Sequence, residues 1–139
     1  MRRCARTGGG FEDVAAYSRA VRVGQRIVTS GTAALDDDGV VLHPGDAYSQ
    51  SRDAIAKALA AVAELGGSAR DVTRSRVYLS PDADWRAAMR AHREAFVDIN
   101  PANTTVYVHR LLPTGALVEI ELEAERDVQI SEQNESAQE

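Results

Sequence analysis

The sequence predicts an α+β sandwich with the element order β-β-α-β-α-β-β and two helices on one face of a mixed sheet. One observation is an apolar stripe at helical spacing that ends at Gly66 and Gly67. Another is strict alternation of apolar residues and glutamates between residues 118 and 125. The third is a pair of short β-type segments at each end of the chain, which predicts antiparallel hairpins at both ends.

The first hairpin is predicted from residues 17–23 and 26–31, which Gly24 and Gln25 separate. Residues 1–12 precede this hairpin and are rich in glycine and polar side chains, so we expect a loose N-terminal segment there. Residues 127–139 are polar and acidic, and we expect a mobile tail. A single domain is therefore predicted over residues 1–126.

Two helices follow from their start and stop signals. Asp46 is a plausible N-cap for the first helix, which should run to about Leu65. Pro81 and Asp82 open the second helix, whose predicted core face carries apolar residues and His92. We interpret His92 as a packing residue because no second His or Cys lies nearby in the sequence, and we expect no metal site and no cofactor.

The two C-terminal strands are predicted at residues 104–109 and 116–125. Period-two geometry places Asn103 and Thr105 on one face of the first strand and Glu119 on the glutamate face of the second. Polar side chains from the two strands could then converge, and convergent polar groups are typical of a binding cleft.

Composition narrows the functional classes. The chain has 139 residues, 44% of them hydrophobic, and no apolar run approaches the ~20 residues needed to span a bilayer, so we expect a soluble protein without a membrane role. No apolar segment follows the basic start of the chain, which favours a cytoplasmic location. A net charge of −5 argues against broad binding of nucleic acid.

Several short motifs occur together in one order and spacing. They are YSRAVRVG at 17–24, VTSG at 28–31, ELGG at 64–67, DV at 71–72 with VYL at 77–79, PA at 101–102 and LVEIE at 117–121. With these motifs the chain resembles the RidA family, also called the YjgF/YER057c/UK114 family, over most of its length. Its better-known members hydrolyse reactive enamines and imines.

The resemblance implies a chorismate-mutase-like fold, assembled as a homotrimer with a small-molecule cleft between neighbouring subunits. By position, one wall of the family cleft matches Tyr17, Ser30 and Gly31. The other wall matches Asn103, Thr105 and Glu119. Arg90 falls approximately where many members have an asparagine, and it completes the predicted set of substrate-binding residues.

Hydrolysis of an imine requires a proton on nitrogen, a water delivered to carbon and the departure of ammonia. In the cleft that the resemblance implies, Glu119 would donate and accept these protons as general acid and base. Ser30, Gly31 and Thr105 would orient a polar substrate or water, and Tyr17 would form an aromatic wall. The competing interpretation is that Tyr17 packs a strand end and that Ser30 and Gly31 only shape one.

One position departs from the family pattern. Where the family has an arginine that binds the substrate carboxylate, this chain has Asn103, which cannot form a charge-assisted bidentate pair. Efficient deamination of 2-aminoacrylate is therefore not expected. Either the substrate lacks the carboxylate, or Arg90, Arg19 or His109 supplies the cation, and Arg90 is the best of these candidates from the sequence.

Three functions remain open. The first is a RidA-like protein that hydrolyses or protonates an enamine, imine or carbonyl-type metabolite with Glu119 as the acid and base. The second is a metabolite-binding trimer without catalysis, in which Glu119 only accepts a hydrogen bond. The third is an endoribonuclease or translation inhibitor, which the charge and the lack of a paired-histidine motif disfavour.

Overall fold

The computed structural model describes residues 1–127, which form seven strands, three α-helices and a single 3₁₀ turn at Ala69–Asp71. The strands are β1 (Arg2–Ala5), β2 (Ala20–Val23), β3 (Arg26–Thr29), β4 (Thr32–Ala33), β5 (Val72–Leu79), β6 (Ala102–Tyr107) and β7 (Val118–Glu125). The helices are α1 (Gly10–Ala15), α2 (Ala47–Glu64) and α3 (Trp85–Phe96). The mobile tail expected at 127–139 lies outside the described residues, apart from its first position.

The sheet has the order β1-β2-β3-β7-β5-β6, and the short strand β4 pairs with β7 beside the end of β3. Strands β5 and β6 are parallel, whereas all other pairs are antiparallel. The predicted mixed sheet is confirmed.

Helices α2 and α3 pack on one face of this sheet, as predicted. The alternation in β7 directs Val118, Ile120, Leu122 and Ala124 into the core, where each is at most 2% exposed. Burial of this apolar face supplies most of the free energy that holds the helices on the sheet.

The ends of α2 follow the predicted signals. The Asp46 carboxylate accepts a hydrogen bond from the backbone N–H of Ser49 at 3.0 Å, which satisfies one of the free donors at the helix start. Gly66 adopts a φ of +88° immediately after the helix, where a side chain would be strained. In α3 the cap is Asp84 rather than the predicted Pro81 and Asp82, so this helix begins one turn later.

The N-terminal segment is ordered, and the expectation of a loose segment at residues 1–12 is wrong. Strand β1 pairs antiparallel with β2, and α1 starts at Gly10. This polar segment contributes one residue to the hydrophobic core, Ala5, which is 1% exposed. Arg3 also donates a hydrogen bond to the Leu65 carbonyl at 3.2 Å, which ties the strand to the end of α2.

The predicted C-terminal hairpin is also wrong. Strands β6 and β7 do not pair, because β5 lies between them and pairs with both. The connection from β6 to β7 passes over the end of β5, where Val108 N–H donates to the Leu79 carbonyl and Ser80 N–H donates to the Leu117 carbonyl. A hairpin was expected because consecutive strands usually pair, but here the longer β5 offers each strand a buried partner.

The face of the sheet opposite the two long helices carries paired charges. Glu123 accepts hydrogen bonds from Arg26 at 2.7 Å and from Arg76 at 3.0 Å, while the Tyr78 hydroxyl donates to Glu121 at 2.6 Å. Glu121 and Glu123 therefore belong to a cross-strand network and are not isolated solvated charges, whereas Glu125 is exposed at the strand end.

Candidate functional site

Glu119 lies on the face of the sheet opposite α2 and α3, where β7 pairs with β4. Its carboxylate contacts the backbone of Gly31. Glu119 is the register partner of Ala33, and its side chain is half-buried. A Cβ atom at position 31 would lie 2.9 Å from Glu119 Cδ and still closer to Oε1. Only glycine leaves the carboxylate this space, because carbon atoms normally approach to ~3.5–4.0 Å.

Burial raises the pKa of the Glu119 carboxyl above its ordinary value. The positive charge of Arg19 opposes this rise, and the negative charge of Glu121 adds to it. A carboxyl with a raised pKa holds a proton closer to neutral pH than an exposed glutamate does. Such a group can donate a proton and take one back, which is the requirement for general acid-base catalysis.

Arg19 connects the first predicted wall to Glu119. Its Nη1 donates a hydrogen bond to the Gly31 carbonyl at 3.1 Å, and its guanidinium carbon lies 5.2 Å from the centroid of the Tyr17 ring. These contacts hold a partly buried cation between the aromatic ring and the acid. The structure thus brings Tyr17, Gly31 and Glu119 together around Arg19.

Ser30 belongs to the same wall, but its hydroxyl is engaged inside the chain. It donates to the Ser18 carbonyl at 2.6 Å, and the Ser30 backbone N–H donates to the Arg19 carbonyl at 2.9 Å. These two bonds fix the segment that carries Arg19 against the segment that carries Gly31. The contacts indicate that Ser30 shapes the wall.

Asn103 and Thr105 do not converge with Glu119 within one chain, contrary to the sequence-based expectation. Parallel pairing places Asn103 beside Ser75 and Thr105 beside Val77, and both partners face the helices. Glu119 pairs with Tyr78, whose side chain is on the other face. The two predicted groups of the second wall therefore lie on opposite faces of the same sheet.

Asn103 is part of a hydrogen-bond chain that ends at His92. Thr105 Oγ1 donates to Asn103 Oδ1 at 2.9 Å, Asn103 Nδ2 donates to Ser75 Oγ at 3.0 Å, and Ser75 Oγ lies 2.7 Å from His92 Nε2. Burial lowers the pKa of His92, which favours the neutral ring. Ser75 Oγ is hydrogen-bonded to this ring nitrogen, and the tautomer of the neutral ring sets which of the two atoms donates.

Arg90 lies in a different part of the molecule. Its guanidinium carbon is 4.1 Å from the centroid of the Tyr48 ring, and the Tyr48 hydroxyl donates to Glu94 at 2.6 Å. Arg90 lines a pocket of about 350 Å³ beside the start of α2, together with Asp46, Asp82 and Asp84. The structure does not bring Arg90 to Glu119.

A second pocket of about 420 Å³ opens beside Tyr17, and it contains an acid that sequence reasoning missed. Glu12 lines this pocket and is 3% exposed. It accepts hydrogen bonds from the Thr7 backbone N–H at 3.2 Å and from the Thr7 hydroxyl. Its position in a glycine-rich segment left no periodic signal, and only the fold of β1 and α1 places it here.

Within residues 1–127, no group of three or more His, Cys, Asp or Glu side chains is arranged to hold a metal ion. None of the helices in these residues combines the length and the apolar composition that a membrane span requires.

Comparison with known proteins identifies the family. The family model described as Endoribonuclease L-PSP matches residues 10–126. The chain belongs to the YjgF/YER057c/UK114 family, also called the RidA family. The crystal structure of family member Rv2704 from Mycobacterium tuberculosis superposes with a TM-score of 0.81 at 35% identity, and the match covers 91% of this chain and 100% of that one.

Two curated relatives are similar to this RidA-family chain over most of its length. An uncharacterized protein of Streptomyces coelicolor is 35% identical over 124 residues, which are 89% of this chain and 92% of the relative. The 3-aminoacrylate deaminase RutC of Acinetobacter baylyi is 33% identical over 107 residues, which are 77% of this chain and 84% of the relative. The YjgF-like fold predicted from the sequence is confirmed.

Proposed function

We propose that this RidA-family protein hydrolyses a small enamine or imine, with Glu119 as the acid and base. The observation that carries the proposal is the half-buried Glu119 carboxyl, seated on Gly31 with a raised pKa. The RutC relative, named as a 3-aminoacrylate deaminase, supports an enamine as the substrate class. Because Asn103 stands where the family has an arginine, the protein does not hold its substrate in the manner of a standard 2-aminoacrylate deaminase.

The proposed reaction is balanced by one water molecule. Protonated Glu119 gives its proton to the enamine carbon, and the electron pair of the carbon-carbon double bond forms that new C–H bond while nitrogen becomes an iminium. Water then adds to the iminium carbon, and the Glu119 carboxylate accepts the proton that the water releases. After proton transfer to nitrogen, the carbon-nitrogen bond breaks, and the products are a carbonyl compound and ammonia.

A homotrimer with the ligand in a cleft between subunits is part of the proposal. Glu119 and the pair Asn103 and Thr105 lie on opposite faces of one sheet, so one subunit cannot place them around one ligand. A neighbouring copy that presents its Asn103 strand to the Glu119 wall would supply both sides. The two long helices do not cover the sheet face that carries Glu119 and the charged network, so this face is accessible to the neighbouring copy.

The mass in solution tests the assembly. We expect a species with three times the 15.0 kDa mass of the chain at micromolar concentration. A monomer under these conditions would contradict the shared cleft.

Glu119→Gln tests the chemistry, because glutamine keeps the shape of the side chain and cannot exchange a proton. The first probe is 2-iminopropionate generated in situ from alanine by an amino-acid oxidase, followed by imines of other amino acids. We expect the variant to lose about 100- to 10,000-fold of the acceleration, the range typical of a general acid-base group. Glu125→Gln is the matched control, since Glu125 is an exposed carboxylate at the end of the same strand.

The same experiment separates catalysis from binding. Equal rates for wild type and Glu119→Gln on a probe that wild type turns over would contradict the acid-base role. A wild type that binds the probes but accelerates none of them would favour the metabolite-binding alternative.

A further inference from the structure

The structure distinguishes the candidates for the missing cation. The Asn103 amide is hydrogen-bonded within the chain, because its Nδ2 donates to Ser75 Oγ and its Oδ1 accepts from Thr105. Asn103 is also a neutral amide, so it cannot supply the charge-assisted pair that binds an anionic ligand most strongly. The anion-binding group of this protein should therefore be sought elsewhere.

Two of the three cations named from the sequence are poorly placed. Arg90 lies over the ring of Tyr48 in the pocket beside α2, away from Gly31 and Glu119. His109 lies beyond the end of β6, in the exposed connection to β7. Neither residue adjoins the Gly31 and Glu119 cluster of its own chain.

Arg19 is in the cluster and keeps most of its hydrogen-bonding capacity. Of its five N–H donors, only one from Nη1 is used by a partner within residues 1–127, namely the Gly31 carbonyl. The Nε atom is buried without any partner in the same range. No carboxylate lies within ion-pairing distance of the guanidinium there. The charge of Arg19 acts on the carboxyls of Glu119 and Glu12, but neither forms a direct ion pair with it, so its remaining N–H donors are available to an anion.

We propose that Arg19 binds a carboxylate of the ligand and so replaces the arginine that is absent at position 103. This inference rests on the proposed function, because it assigns the ligand to the Glu119 cleft. The ligand class is then a small imino or enamino acid, held by its carboxylate on the Glu119 wall and not on the Asn103 strand. The Tyr17 ring lies beside the guanidinium, and the Gly31 carbonyl accepts a hydrogen bond from one of its N–H groups.

The position of Arg19 also affects the chemistry. With its charge matched by a ligand carboxylate, Arg19 stabilises the ionised form of Glu119 less than it does in the free protein. The bound carboxylate thereby favours the protonated acid. Only a ligand that carries the anion would prepare Glu119 to donate its proton.

The test uses a charged and an uncharged probe of the same shape, pyruvate and pyruvamide, titrated into the full chain and followed by NMR chemical shifts. We expect wild type to bind pyruvate more tightly than pyruvamide. Arg19→Gln should weaken pyruvate binding about ten- to hundredfold, the usual effect of losing a charge-assisted hydrogen-bond pair, and change pyruvamide binding by less than about twofold. The pyruvate affinity of Arg19→Lys should lie between those of wild type and Arg19→Gln, since lysine keeps the positive charge but lacks the planar guanidinium that binds a carboxylate with two parallel hydrogen bonds.

Arg86→Gln is the matched control, because Arg86 also stacks on an aromatic ring, that of Trp85 at 4.6 Å, on the exposed side of α3. It should leave both affinities at the wild-type values. Arg90→Gln addresses the rival cation directly and should also leave the preference for pyruvate intact.

Three outcomes would overturn the inference. One is the absence of a pyruvate preference in wild type. Another is an equal loss for both probes in Arg19→Gln, which would show that Arg19 only supports the fold. The third is loss of the preference in Arg90→Gln. Failure of the proposed hydrolysis is distinguishable, since it would appear as unchanged turnover in Glu119→Gln while the Arg19-dependent preference for pyruvate persists.

Discussion

The contact between Gly31 and Glu119 makes Gly31→Ala the most informative stability variant. The new Cβ would lie 2.9 Å from Glu119 Cδ. Because carbon atoms pack at ~3.5–4.0 Å, the carboxylate must move by roughly 0.6–1.1 Å. Overpacking of this kind costs about 1–3 kcal/mol, and the half-buried side chain can move in part, so we expect about 1–2 kcal/mol.

Urea unfolding at one fixed protein concentration measures this cost, since subunit association would make the midpoint depend on concentration. A double-mutant cycle isolates the contact. In a Glu119→Ala background the added methyl group has no carboxylate to displace, and we expect Gly31→Ala to cost less than about 0.5 kcal/mol there. The coupling between the two positions should therefore be about 1 kcal/mol.

Gly10→Ala is the matched control, because a Cβ at Gly10 meets no atom within 4 Å. It should change the free energy of unfolding by no more than about 0.5 kcal/mol, apart from a small gain through the unfolded chain. If Gly31→Ala costs as much with Glu119 absent as with Glu119 present, the strain lies in the backbone and not in the contact between these two residues.

Three further predictions concern titration and capping. Because the pKa of Glu119 is raised in the folded protein, wild type loses stability as pH rises through that pKa. Glu119→Gln should therefore unfold at a higher urea concentration than wild type at pH 7. This difference should disappear below about pH 4.5, where the glutamate is protonated in both states. The pKa of His92 is lowered, so its effect on stability has the opposite pH dependence: wild type should lose stability as pH falls below about 6.5. His92→Gln should lose less stability over the same range, which thermal unfolding between pH 5 and 8 measures. Asp46→Ala removes the cap of α2 and should cost about 1 kcal/mol in urea unfolding, whereas the exposed Asp37→Ala should cost little.

Local signals were sufficient for much of the fold. The cap at Asp46, the left-handed Gly66 and the alternation of β7 are each decided by residues close in sequence, and the structure agrees with all of them. The order of the central elements follows from the same signals. Family resemblance then predicted the fold, and the match over residues 10–126 confirms the family.

The candidate site was predicted in part. Tyr17, Gly31 and Glu119 were named from the sequence, and the structure brings them together. Their grouping was wrong, because Glu119 joins the Tyr17 wall and not Asn103. Arg90 was preferred to Arg19 as the cation, and the structure places Arg90 in a separate pocket.

The sequence by itself determined the two long helices, the longer strands and which side chains of each strand share a face, because these depend on backbone geometry over a few residues. It did not reveal β1, α1 or β4, which are short elements without a periodic pattern. Tertiary structure alone decided which faces meet. The parallel pairing of β6 with β5 turns Asn103 toward His92, and the pairing of β4 with β7 brings Gly31 under Glu119. Such pairings join residues far apart in the chain, and their free energy comes from the burial of whole elements, which no local pattern records.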